Sequence, residues 1–502
     1  MGREAESSLA DFYFSDSDDP LIPPESFTRW AEEGAWAMSM YEPQMLSGVA
    51  PRMDIKRDGV TSRVVNLSSY NYLGLAMHPE VIEAATRALR DYGTGACGSP
   101  LLSGKSNLHR QLEEQLAAFT GREDCILFNS GFAGGMGTIT GLLRKGDVAI
   151  LDAKSHLCSV DGAKLSRARL VFFDHNDPDS LDKVLQDTEG QRRLVVLEGV
   201  YSMDGDIADL PKLLPVAERH EVGVFIDEAH SMLVYGAHGR GVLEHHDAES
   251  RVALQFATFS KAFAGAGSFT VGPRKLLQYI RYYINPYGFS CALPPSVVAG
   301  VSKALDIATR DNSLRERCWA NTRYFREQAL GLGLDLGHST SQVVPIIVGS
   351  DRRRLYELTR EMHKKGLFLA PVDYPSVPED GLRFRVAITA AHTREDLDLA
   401  LQILEDTVAW AASTPTGDGT DQVIHSGFTF EQQLAQIEAI QNGATQREAA
   451  QRFPARPNPP PRTAEDWMRD REARRVIQRG KPIPAVQRLF ESLRAAELGQ
   501  QP

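Results

Sequence analysis

Short apolar runs alternate with amphipathic segments through the middle of this 502-residue chain. Seven runs are rich in aliphatic and aromatic residues and are bounded by polar or turn residues, at 125–128, 148–152, 169–173, 194–198, 223–227, 254–259 and 268–271. Segments with helical spacing separate most of these runs, at 134–143, 159–166, 180–186 and 210–220. Because buried strands that alternate with helices are typical of layered α/β domains, the pattern predicts an α/β fold with a mainly parallel sheet.

The pattern changes on both sides of this region. Before it, a helix is predicted at 26–41 and a strand that passes into a loop at 64–73. After it come helical periodicity at 296–330, strand-like segments at 343–348, 367–369 and 382–388, and a helix near 394–404. We therefore predict four parts, namely an N-terminal arm and helix at 1–65, a large ligand-binding domain at 66–295, a small α+β domain at 296–408, and a linker with a helical basic extension at 409–502.

The predicted extension has a composition of its own. Residues 413–421 have a linker-like composition, Thr429 and Gln432 have the spacing of a capping box that begins a helix, and 454–461 is a proline-rich spacer. From 452 to 502 the chain has 11 Arg and Lys against 6 Asp and Glu, although the net charge of the whole protein is −11. The tail is therefore electrostatically distinct from the rest of the chain.

Composition and charge exclude several classes of protein. The 42% hydrophobic and 24% charged fractions are typical of a globular protein, and the net charge of −11 argues against general nucleic-acid binding. No apolar stretch reaches the ~18 residues that a membrane-spanning helix needs, and the first residues lack the features of a secretory signal. The five cysteines are scattered and without Cys-x-x-Cys spacing, so we expect reduced thiols, no metal site and a cytoplasmic location.

Two residues with complementary chemistry follow neighbouring apolar runs. Asp227 ends the run at 223–227, and Lys261 follows the run at 254–259, 34 residues further along the chain. Ligands of parallel sheets bind beyond the carboxyl ends of the strands. A lysine amine can hold an aldehyde as a Schiff base, and an aspartate can pair with the pyridinium nitrogen of pyridoxal phosphate (PLP). A lone Ser-Lys after a strand is usually a solvated lysine, but its pairing with Asp227 favours a PLP site.

Further side chains at the ends of the apolar runs could bind the phosphate of that cofactor. Thr258 and Ser260 add hydroxyl groups three residues and one residue before Lys261. Ser130, Gly131 and Phe132 are predicted to begin a helix, and free N–H groups at a helix N-terminus bind anions. The alternative for this second group is an ordinary turn between a strand and a helix.

Three residues could contact the ring of the cofactor. His156 follows the run at 148–152, and its imidazole could stack on the pyridine ring. Ser202 could form a hydrogen bond with the phenolic oxygen, and His230 could contact the same oxygen or the carbonyl of an acyl substrate. Each residue could instead be a polar loop residue that satisfies nearby backbone groups.

A pair of arginines follows in the small domain. Arg383 and Arg385 are two residues apart on a predicted strand, so they share one face, with Phe384 on the other. Either guanidinium could bind a substrate carboxylate through two hydrogen bonds. The spacing fits a pair of surface arginines equally well and does not distinguish between the two residues.

Several motifs occur together and in one order. They are Ser-Tyr-Asn-Tyr-Leu-Gly-Leu at 69–75, Leu-Glu-Gly-Val-Tyr-Ser-Met-Asp-Gly-Asp at 197–206, Asp-Glu-Ala-His-Ser at 227–231, Gly-Arg-Gly at 239–241, Thr-Phe-Ser-Lys at 258–261, and Arg-Phe-Arg at 383–385 with Ala-Ala-His-Thr at 390–393. From about residue 66 to residue 404 the chain resembles the α-oxoamine synthases, a family of PLP-dependent transferases of fold type I. Within that family it most resembles bacterial serine palmitoyltransferases and 8-amino-7-oxononanoate synthases.

The resemblance implies an activity, a cofactor and roles for the site residues. The implied reaction is a PLP-dependent decarboxylative Claisen condensation of a small amino acid with an acyl thioester, which yields an α-oxoamine, CO2 and a free thiol. By resemblance Lys261 binds the aldehyde and is the base, and Asp227 holds the ring nitrogen. The remaining implied roles are ring stacking by His156, contacts to the phenolic oxygen and acyl carbonyl by His230, phosphate binding by Thr258 and the amides of Gly131 and Phe132, carboxylate binding by Arg385, and pocket lining by Asn71 and Ser202.

The resemblance also implies a homodimer and leaves several questions open. Sites in this family are completed across the dimer interface, and Ser290 or Ser296 could be such a contribution. The family often has Gly-Ser-Arg where this chain has Gly98-Ser99-Pro100, so an arginine that could serve the acyl donor or the interface is missing. Serine, alanine and glycine stay open as the amino acid, with serine or alanine favoured by the resemblance. The acyl donor could be acyl-CoA or an acyl-carrier protein.

Alternatives to this function come from two other classes. A PLP aminotransferase or lyase of the same fold would need no thioester, and the Asp-Glu-Ala-His-Ser motif with His230 disfavours it. A non-catalytic partner subunit usually lacks the lysine, and Lys261 is present here. The basic tail at 452–502 either packs on the acidic body of its own dimer, which we favour, or docks an acidic acyl-carrier protein.

Overall fold

A computed structural model describes residues 17–33, 41–57 and 59–413. The predicted linker and basic extension, and most of the predicted N-terminal arm, lie outside the described residues. The described chain divides into two compact units. The first unit contains the chain up to Ser69, 320–388 and the chain from His392, and the second unit contains 70–319 and 389–391. The four-part domain division made from the sequence stays a prediction.

The elements follow the chain in this order. The strands are β1 Gln44–Met45, β2 Arg52–Arg57, β3 Val60–Asn66, β4 Asp124–Phe128, β5 Val148–Asp152, β6 Arg169–Phe173, β7 Arg193–Glu198, β8 Gly223–Asp227, β9 Leu254–Thr258, β10 Ser268–Gly272, β11 Val343–Gly349, β12 Leu367–Phe368, β13 Pro371–Val372 and β14 Leu382–Ala387. The helices are α1 Glu25–Glu33, α2 Pro79–Tyr92, α3 Asn107–Thr120, α4 Gly131–Leu142, α5 Leu157–Ser166, α6 Pro178–Asp187, α7 Leu210–Arg219, α8 Val242–His245, α9 Arg274–Ile280, α10 Asn285–Gly288, α11 Pro295–Arg310, α12 Ser313–Gly331, α13 Arg352–Lys364 and α14 Arg394–Ser413. Short 3₁₀ helices also occur at Leu75–Met77 and Glu249–Arg251.

A seven-stranded sheet forms the centre of the second unit. Its order is β4-β10-β9-β8-β7-β5-β6, and the strands from β9 to β6 are all parallel to their neighbours. β10 is antiparallel to both β9 and β4. Nearly every residue of β4, β5, β8, β9 and β10 is buried. Such continuous burial needs cover on both faces of the sheet, which is why these strands are apolar runs without alternation.

Helices α4, α5, α9 and α10 contribute to the core of this sheet. A cluster of buried residues includes Phe128 and Phe256 from the strands and Ile139, Ile280 and Tyr287 from the helices. The close contact between α4 and α5 depends on small residues. A Cβ at Gly162 would be 2.8 Å from the carbonyl oxygen of Met136, so a larger residue would push the two helices apart.

Two smaller sheets belong to the first unit. One has the order β1-β2-β3-β12, in which β12 pairs with β3 in parallel and the others pair antiparallel. The other is antiparallel, with the order β11-β14-β13. Alternation along β2 places Met53 and Ile55 in a small core with Val64 and Phe368, so the strand has one buried face.

The elements predicted from apolar runs are confirmed to within one or two residues at each strand of the seven-stranded sheet. The segment at 296–330, where helical periodicity is predicted, consists of two helices, α11 and α12. The break lies at Asp311, whose carboxylate accepts the N–H of Ser313 at 2.9 Å and so begins a new helix. The helix predicted at 26–41 is described as Glu25–Glu33, and 34–40 lie outside the described residues.

Candidate active site

Lys261 and Asp227 follow two strands that lie side by side. Asp227 is the last residue of β8, and Lys261 lies three residues beyond the end of β9, which pairs with β8 in parallel. Burial raises the pKa of Asp227 to about 6, although the charge of Lys261 opposes this rise. Burial lowers the pKa of Lys261, and the charge of Asp227 opposes that change in turn. The opposite charges of the two groups therefore influence each other at the carboxyl end of the sheet.

A backbone turn fixes the Asp227 carboxylate. One of its oxygens, Oδ1, accepts the N–H of Ala229 at 2.8 Å. The amine of Lys261 donates to the hydroxyl of Thr258, the last residue of β9, with 3.1 Å between Nζ and Oγ1. A lysine with a lowered pKa is more readily the neutral nucleophile that a carbonyl carbon requires.

The N-terminus of α4 approaches Thr258 unusually closely. A Cβ at Gly131 would be 2.9 Å from Cγ2 of Thr258, so glycine alone fits at this helix start without movement of its neighbours. Ser130 caps the helix by accepting the N–H of Ala133 at 3.3 Å through its hydroxyl. The free amides of the first turn and the Thr258 hydroxyl form a cradle for an anion.

His156 begins the next helix, α5. Its Nδ1 accepts the N–H of Cys158 at 3.2 Å, and its ring lies edge-on to Phe132 with 6.2 Å between the ring centroids. The residue is open to solvent on one side. The protein packed behind its ring and the charge of Lys261 lower its pKa, which keeps the imidazole neutral.

His230 is held by two tyrosines from the 69–75 motif. Its Nδ1 is 2.7 Å from the hydroxyl of Tyr72, and the ring of Tyr70 is edge-on to it at 5.9 Å. Burial and then the charge of Lys261 lower the pKa of His230 well below its ordinary value. A neutral imidazole that accepts the phenolic proton at Nδ1 carries its own proton at Nε2 and can donate from there.

Sequence reasoning missed two of these groups. Tyr72 lies in the motif at 69–75, where its spacing of two residues from Tyr70 is the only signal in the sequence, and the structure shows it to be fully buried. Glu198 ends β7 beside Asp227 and is buried, and its carboxyl group accepts the backbone N–H of His156. Burial raises the pKa of Glu198 well above its ordinary value, and the negative charge of Asp227 adds to this effect. In the sequence, Glu198 is recognisable as an acidic residue at the end of an apolar run, as Asp227 is.

The other predicted residues have varied surroundings. Ser202 is buried in the loop after β7, and Ser260 is exposed next to Lys261. Asn71 is buried, and its side-chain oxygen accepts the N–H of Ala76 at 3.2 Å, which stabilises the local turn. Ser290 and Ser296 are partly buried.

Arg385 belongs to the first unit and lies on β14 opposite Pro345 of β11. Burial lowers the pKa of its guanidinium to about 10. The guanidinium of Arg383 donates through Nε to the carbonyl oxygen of Gly381 at 2.7 Å. This hydrogen bond of Arg383 stabilises the turn just before β14.

The residues of the second unit fit PLP on structural grounds. The cradle beside Gly131 excludes a side chain and offers N–H and O–H donors, as a phosphate requires. The Asp227 carboxylate is an anion in a buried position, where a pyridinium nitrogen would be a favourable partner. Within the described ranges no cluster of side chains suited to a metal ion is found, and every helix there is too short or too polar to cross a bilayer.

Comparisons with known proteins agree with this geometry. Residues 62–404 match the family model described as aminotransferase class I and II. The chain is 39% identical over 344 residues to 8-amino-7-oxononanoate synthase of Thermoanaerobacter pseudethanolicus, covering 68% of this chain and 87% of that one. It is 41% identical over 340 residues to the protein of the same name from Symbiobacterium thermophilum, covering 67% and 86%. The structure of Sphingomonas wittichii serine palmitoyltransferase matches with a TM-score of 0.73 at 33% identity, covering 77% of this chain and 97% of that chain.

Proposed function

Because the chain belongs to the class I and II aminotransferase family and, within it, to the α-oxoamine synthases, we propose that it condenses a small amino acid with an acyl thioester. The products are an α-oxoamine, CO2 and a free thiol. The observation that carries the proposal is that Asp227 is buried at the end of β8 while Lys261 follows the neighbouring parallel strand β9, so that their opposite charges influence each other. The family fold supports PLP as the cofactor, and the described residues fit it.

Lys261 has two functions in this proposal. Its Nζ holds the aldehyde of PLP covalently, and its lowered pKa favours the neutral amine that forms such a bond. The cofactor, when bound, supplies an electron sink for negative charge at the α-carbon of the amino acid. With PLP and the amino acid bound, Nζ would be the base that removes the proton from the α-carbon. Thr258, which accepts from Nζ at 3.1 Å, orients the amine.

Asp227 and His230 control charge around the reacting atoms. The pKa of Asp227 is raised only to about 6, so the group is largely ionised at neutral pH and can keep a ring nitrogen protonated. His230 stays neutral and donates from Nε2, because Tyr72 occupies Nδ1. A neutral N–H donor stabilises a developing oxyanion. It leaves in place the positive charge of the ring nitrogen that pairs with Asp227.

Substrate binding is assigned to Arg385 and Asn71. Arg385 binds the carboxylate of the amino acid, the role that the resemblance of the Arg-Phe-Arg motif to the family implies for it. His156 stacks on the ring, Ser202 contacts the phenolic oxygen, and Ser130, Gly131, Phe132 and Thr258 with Ser260 surround the phosphate.

We also propose a homodimer in the cytoplasm. Large apolar side chains of the second unit are exposed in a single chain, and among them Leu102 is 87% and Phe289 is 88% exposed. Their two segments are joined, since the N–H of Ala292 donates to the carbonyl oxygen of Gly98 at 2.9 Å. A second copy of the chain would cover such a surface.

All five cysteines are free thiols, as expected in a reducing compartment.

The test combines a spectrum with a panel of substrates. The purified protein is incubated with PLP, and the absorbance band of lysine-bound cofactor is recorded. Thiol release is then measured with serine, alanine and glycine, each with acyl-CoA and with an acyl-carrier-protein thioester. We expect the band, and thiol release that requires both an amino acid and a thioester. Amino-group transfer to a keto acid without thiol release would replace the proposal by an aminotransferase.

Two lysine variants make the assignment specific. Lys261→Ala is expected to lose both the absorbance band and thiol release. Lys303→Ala is the matched control, because Lys303 forms an ion pair with Asp306 at 2.9 Å on the surface of α11. It should retain both signals. Normal turnover by Lys261→Ala would contradict the role of this amine.

A further inference from the structure

His175 lies between two buried carboxylates behind the candidate site. It follows β6, and its Nδ1 is 2.8 Å from Oδ1 of Asp152 while its Nε2 is 2.6 Å from Oδ2 of Asp206. The side chains of all three residues are less than one-tenth exposed. Tyr201 packs edge-on against the imidazole with 4.5 Å between ring centroids. Nothing in the local sequence singles out this histidine, because it lies in a loop between a strand and a helix.

Asp152 shapes the loop that leads to His156. It is the last residue of β5, and its carboxylate also accepts the N–H of Lys154 at 2.9 Å. Its backbone carbonyl accepts the N–H of Ser155 at 2.9 Å. The turn from 152 to 156 is therefore built around this one side chain, and it ends at the histidine that begins α5.

Asp206 belongs to the loop that carries Ser202. The N–H of Tyr201 donates to the backbone carbonyl of Asp206 at 2.9 Å, and the N–H of Gly205 donates to that of Tyr201 at 2.8 Å. These bonds close a tight loop at 201–206. A second, more exposed link between the same two loops is the ion pair of Lys154 with Asp204 at 3.2 Å.

The hydrogen bonds define the charge of the imidazole. Each ring nitrogen faces a carboxylate oxygen, so each must donate, and an imidazole with two N–H groups is a cation. Burial alone would lower the pKa of His175, but Asp206 and then Asp152 outweigh it and raise the pKa to about 9. The three groups together carry one negative charge.

We propose that His175 is a positioning residue, whose two N–H groups tie the loop carrying His156 to the loop carrying Ser202. This inference rests on the proposed function, because both loops flank the proposed PLP site. The cation sets the separation of the two loops, and with it the width of the slot that the cofactor ring enters. His175 itself touches neither the cofactor nor the substrate.

A charge-matched rescue tests the proposal. His175→Gln leaves one donor, so the Gln oxygen faces the second carboxylate and the cluster carries two negative charges. His175→Gln with Asp206→Asn restores a donor to every acceptor and returns the net charge to −1. Glutamine is also close in length to histidine, so the volume change is small.

His220→Gln is the matched control. His220 also bonds to an aspartate of the second unit, with 2.8 Å between Nε2 and Asp182 Oδ1, but it lies at the end of α7 and away from both loops. The glutamine amide can still donate to Asp182, so His220→Gln should leave the spectrum of bound PLP unchanged. This variant reports the effect of exchanging an aspartate-bonded histidine for glutamine outside the two loops.

The readouts are the circular dichroism band of bound PLP and the PLP dissociation constant, measured on full-length protein. We expect His175→Gln to weaken PLP binding ~10-fold or more, which is the factor that one lost hydrogen bond to a charged group is worth. The dichroism band should change in shape, and the double variant should recover both properties to within ~3-fold. An unchanged band and affinity in the single variant, or no recovery in a folded double variant, would overturn the proposal.

A pH titration of the wild type and of the double variant supplies a second test. The titratable groups that face His175 are Asp152, Asp206 and Tyr201. Because the folded pKa is raised to about 9, the cation and its bonds are present at neutral pH and lost as pH rises through that value. The dichroism band should change near pH 9 in the wild type and not in the double variant. The same transition in both would contradict a role of His175, whereas absent thiol release with an intact dichroism result would contradict the proposed reaction alone.

Discussion

Replacement of Gly131 by alanine tests the phosphate cradle by steric means. The new Cβ would lie 2.9 Å from Cγ2 and 3.5 Å from Cβ of Thr258. Since carbon atoms pack best at ~3.5–4.0 Å, the start of α4 must move from β9 by roughly 0.6–1 Å. The amides of Gly131 and Phe132 would move with the helix, away from the Thr258 hydroxyl.

The size of the effect follows from this displacement. Overpacking of a rigid contact costs ~1–3 kcal/mol in the free energy of unfolding. In a unit of this size each kcal/mol corresponds to ~2–4 °C, so Tm of the PLP-free variant should fall by ~2–10 °C. The dissociation constant of PLP should rise ~10-fold, because displaced donors lose at least one charge-assisted hydrogen bond to the phosphate.

A second substitution can relieve the clash. Thr258→Ser removes Cγ2 and keeps the hydroxyl that accepts from Lys261 at 3.1 Å. The double variant Gly131→Ala with Thr258→Ser should therefore bind PLP more tightly than Gly131→Ala alone. Gly223→Ala is the control, because a Cβ at the start of β8 would have no atom within 4 Å.

The assay is a PLP titration followed by absorbance on the wild type, both single variants and the double variant. This double-mutant cycle isolates the interaction between the two positions. Wild-type affinity in Gly131→Ala would refute the close-approach argument. So would a double variant that binds no better than Gly131→Ala.

Three further predictions concern buried polar groups of the same unit. Tyr72→Phe removes the hydroxyl bonded to His230, so the free energy of unfolding should fall by ~1–3 kcal/mol, and kcat should fall more than KM changes in steady-state assays. Asp227→Asn removes a carboxyl group whose pKa is raised from 3.8 to about 6. Native protein binds this proton more tightly than unfolded protein, so in urea unfolding without PLP the wild type should lose up to ~3 kcal/mol relative to the variant as pH rises from about 4 to 7. Glu198→Gln keeps an acceptor for the N–H of His156 and avoids a buried charge, so its Tm should stay within ~2 °C of the wild type, whereas Glu198→Ala should lower Tm by ~3 °C or more.

Each of these predictions has a control or a contrary outcome. Tyr92→Phe removes a hydroxyl bonded to Asn107 at 2.8 Å on the surface, and should change stability by less than ~0.5 kcal/mol. If Tyr72→Phe lost no more stability than Tyr92→Phe, the buried hydrogen bond between Tyr72 and His230 would contribute no more than an exposed one. A pH-independent difference between Asp227→Asn and wild type would contradict the raised pKa. Equal losses of Tm in Glu198→Gln and Glu198→Ala would contradict a role for the acceptor.

The strands of the main sheet could be predicted because most of them, among them β4, β5, β8, β9 and β10, are buried along nearly their whole length and are therefore unbroken apolar runs. Their order could not, since β10 enters between β9 and β4 as an antiparallel strand and the pairing depends on long-range contacts. Helix α13 was missed because it is strongly polar. Its start is nonetheless visible in Asp351, whose side chain accepts the N–H of Arg354 at 2.8 Å.

The candidate site was predictable where chemistry and strand ends coincide. Asp227 and Lys261 were found because both follow apolar runs that lie next to each other in the chain. Tyr72 and His175 were not, because each acts through a partner 158 or 31 residues away in the sequence. Nothing in the local sequence records which distant group a buried ring will contact.

Three carboxyl groups end three neighbouring strands, Asp152 on β5, Glu198 on β7 and Asp227 on β8. All three are buried, and each is compensated differently. Asp152 has the His175 cation, Glu198 accepts the N–H of His156 while burial raises its pKa well above the ordinary value, and Asp227 has the positive charge of Lys261 nearby. Of the two cations, His175 and Lys261, only Lys261 loses its charge in the proposed chemistry, because it must be a neutral amine to act as nucleophile and base. The buried carboxylate of Asp227 then needs another cation as its partner. A protonated ring nitrogen is therefore favoured beside Asp227 more than beside Asp152 or Glu198.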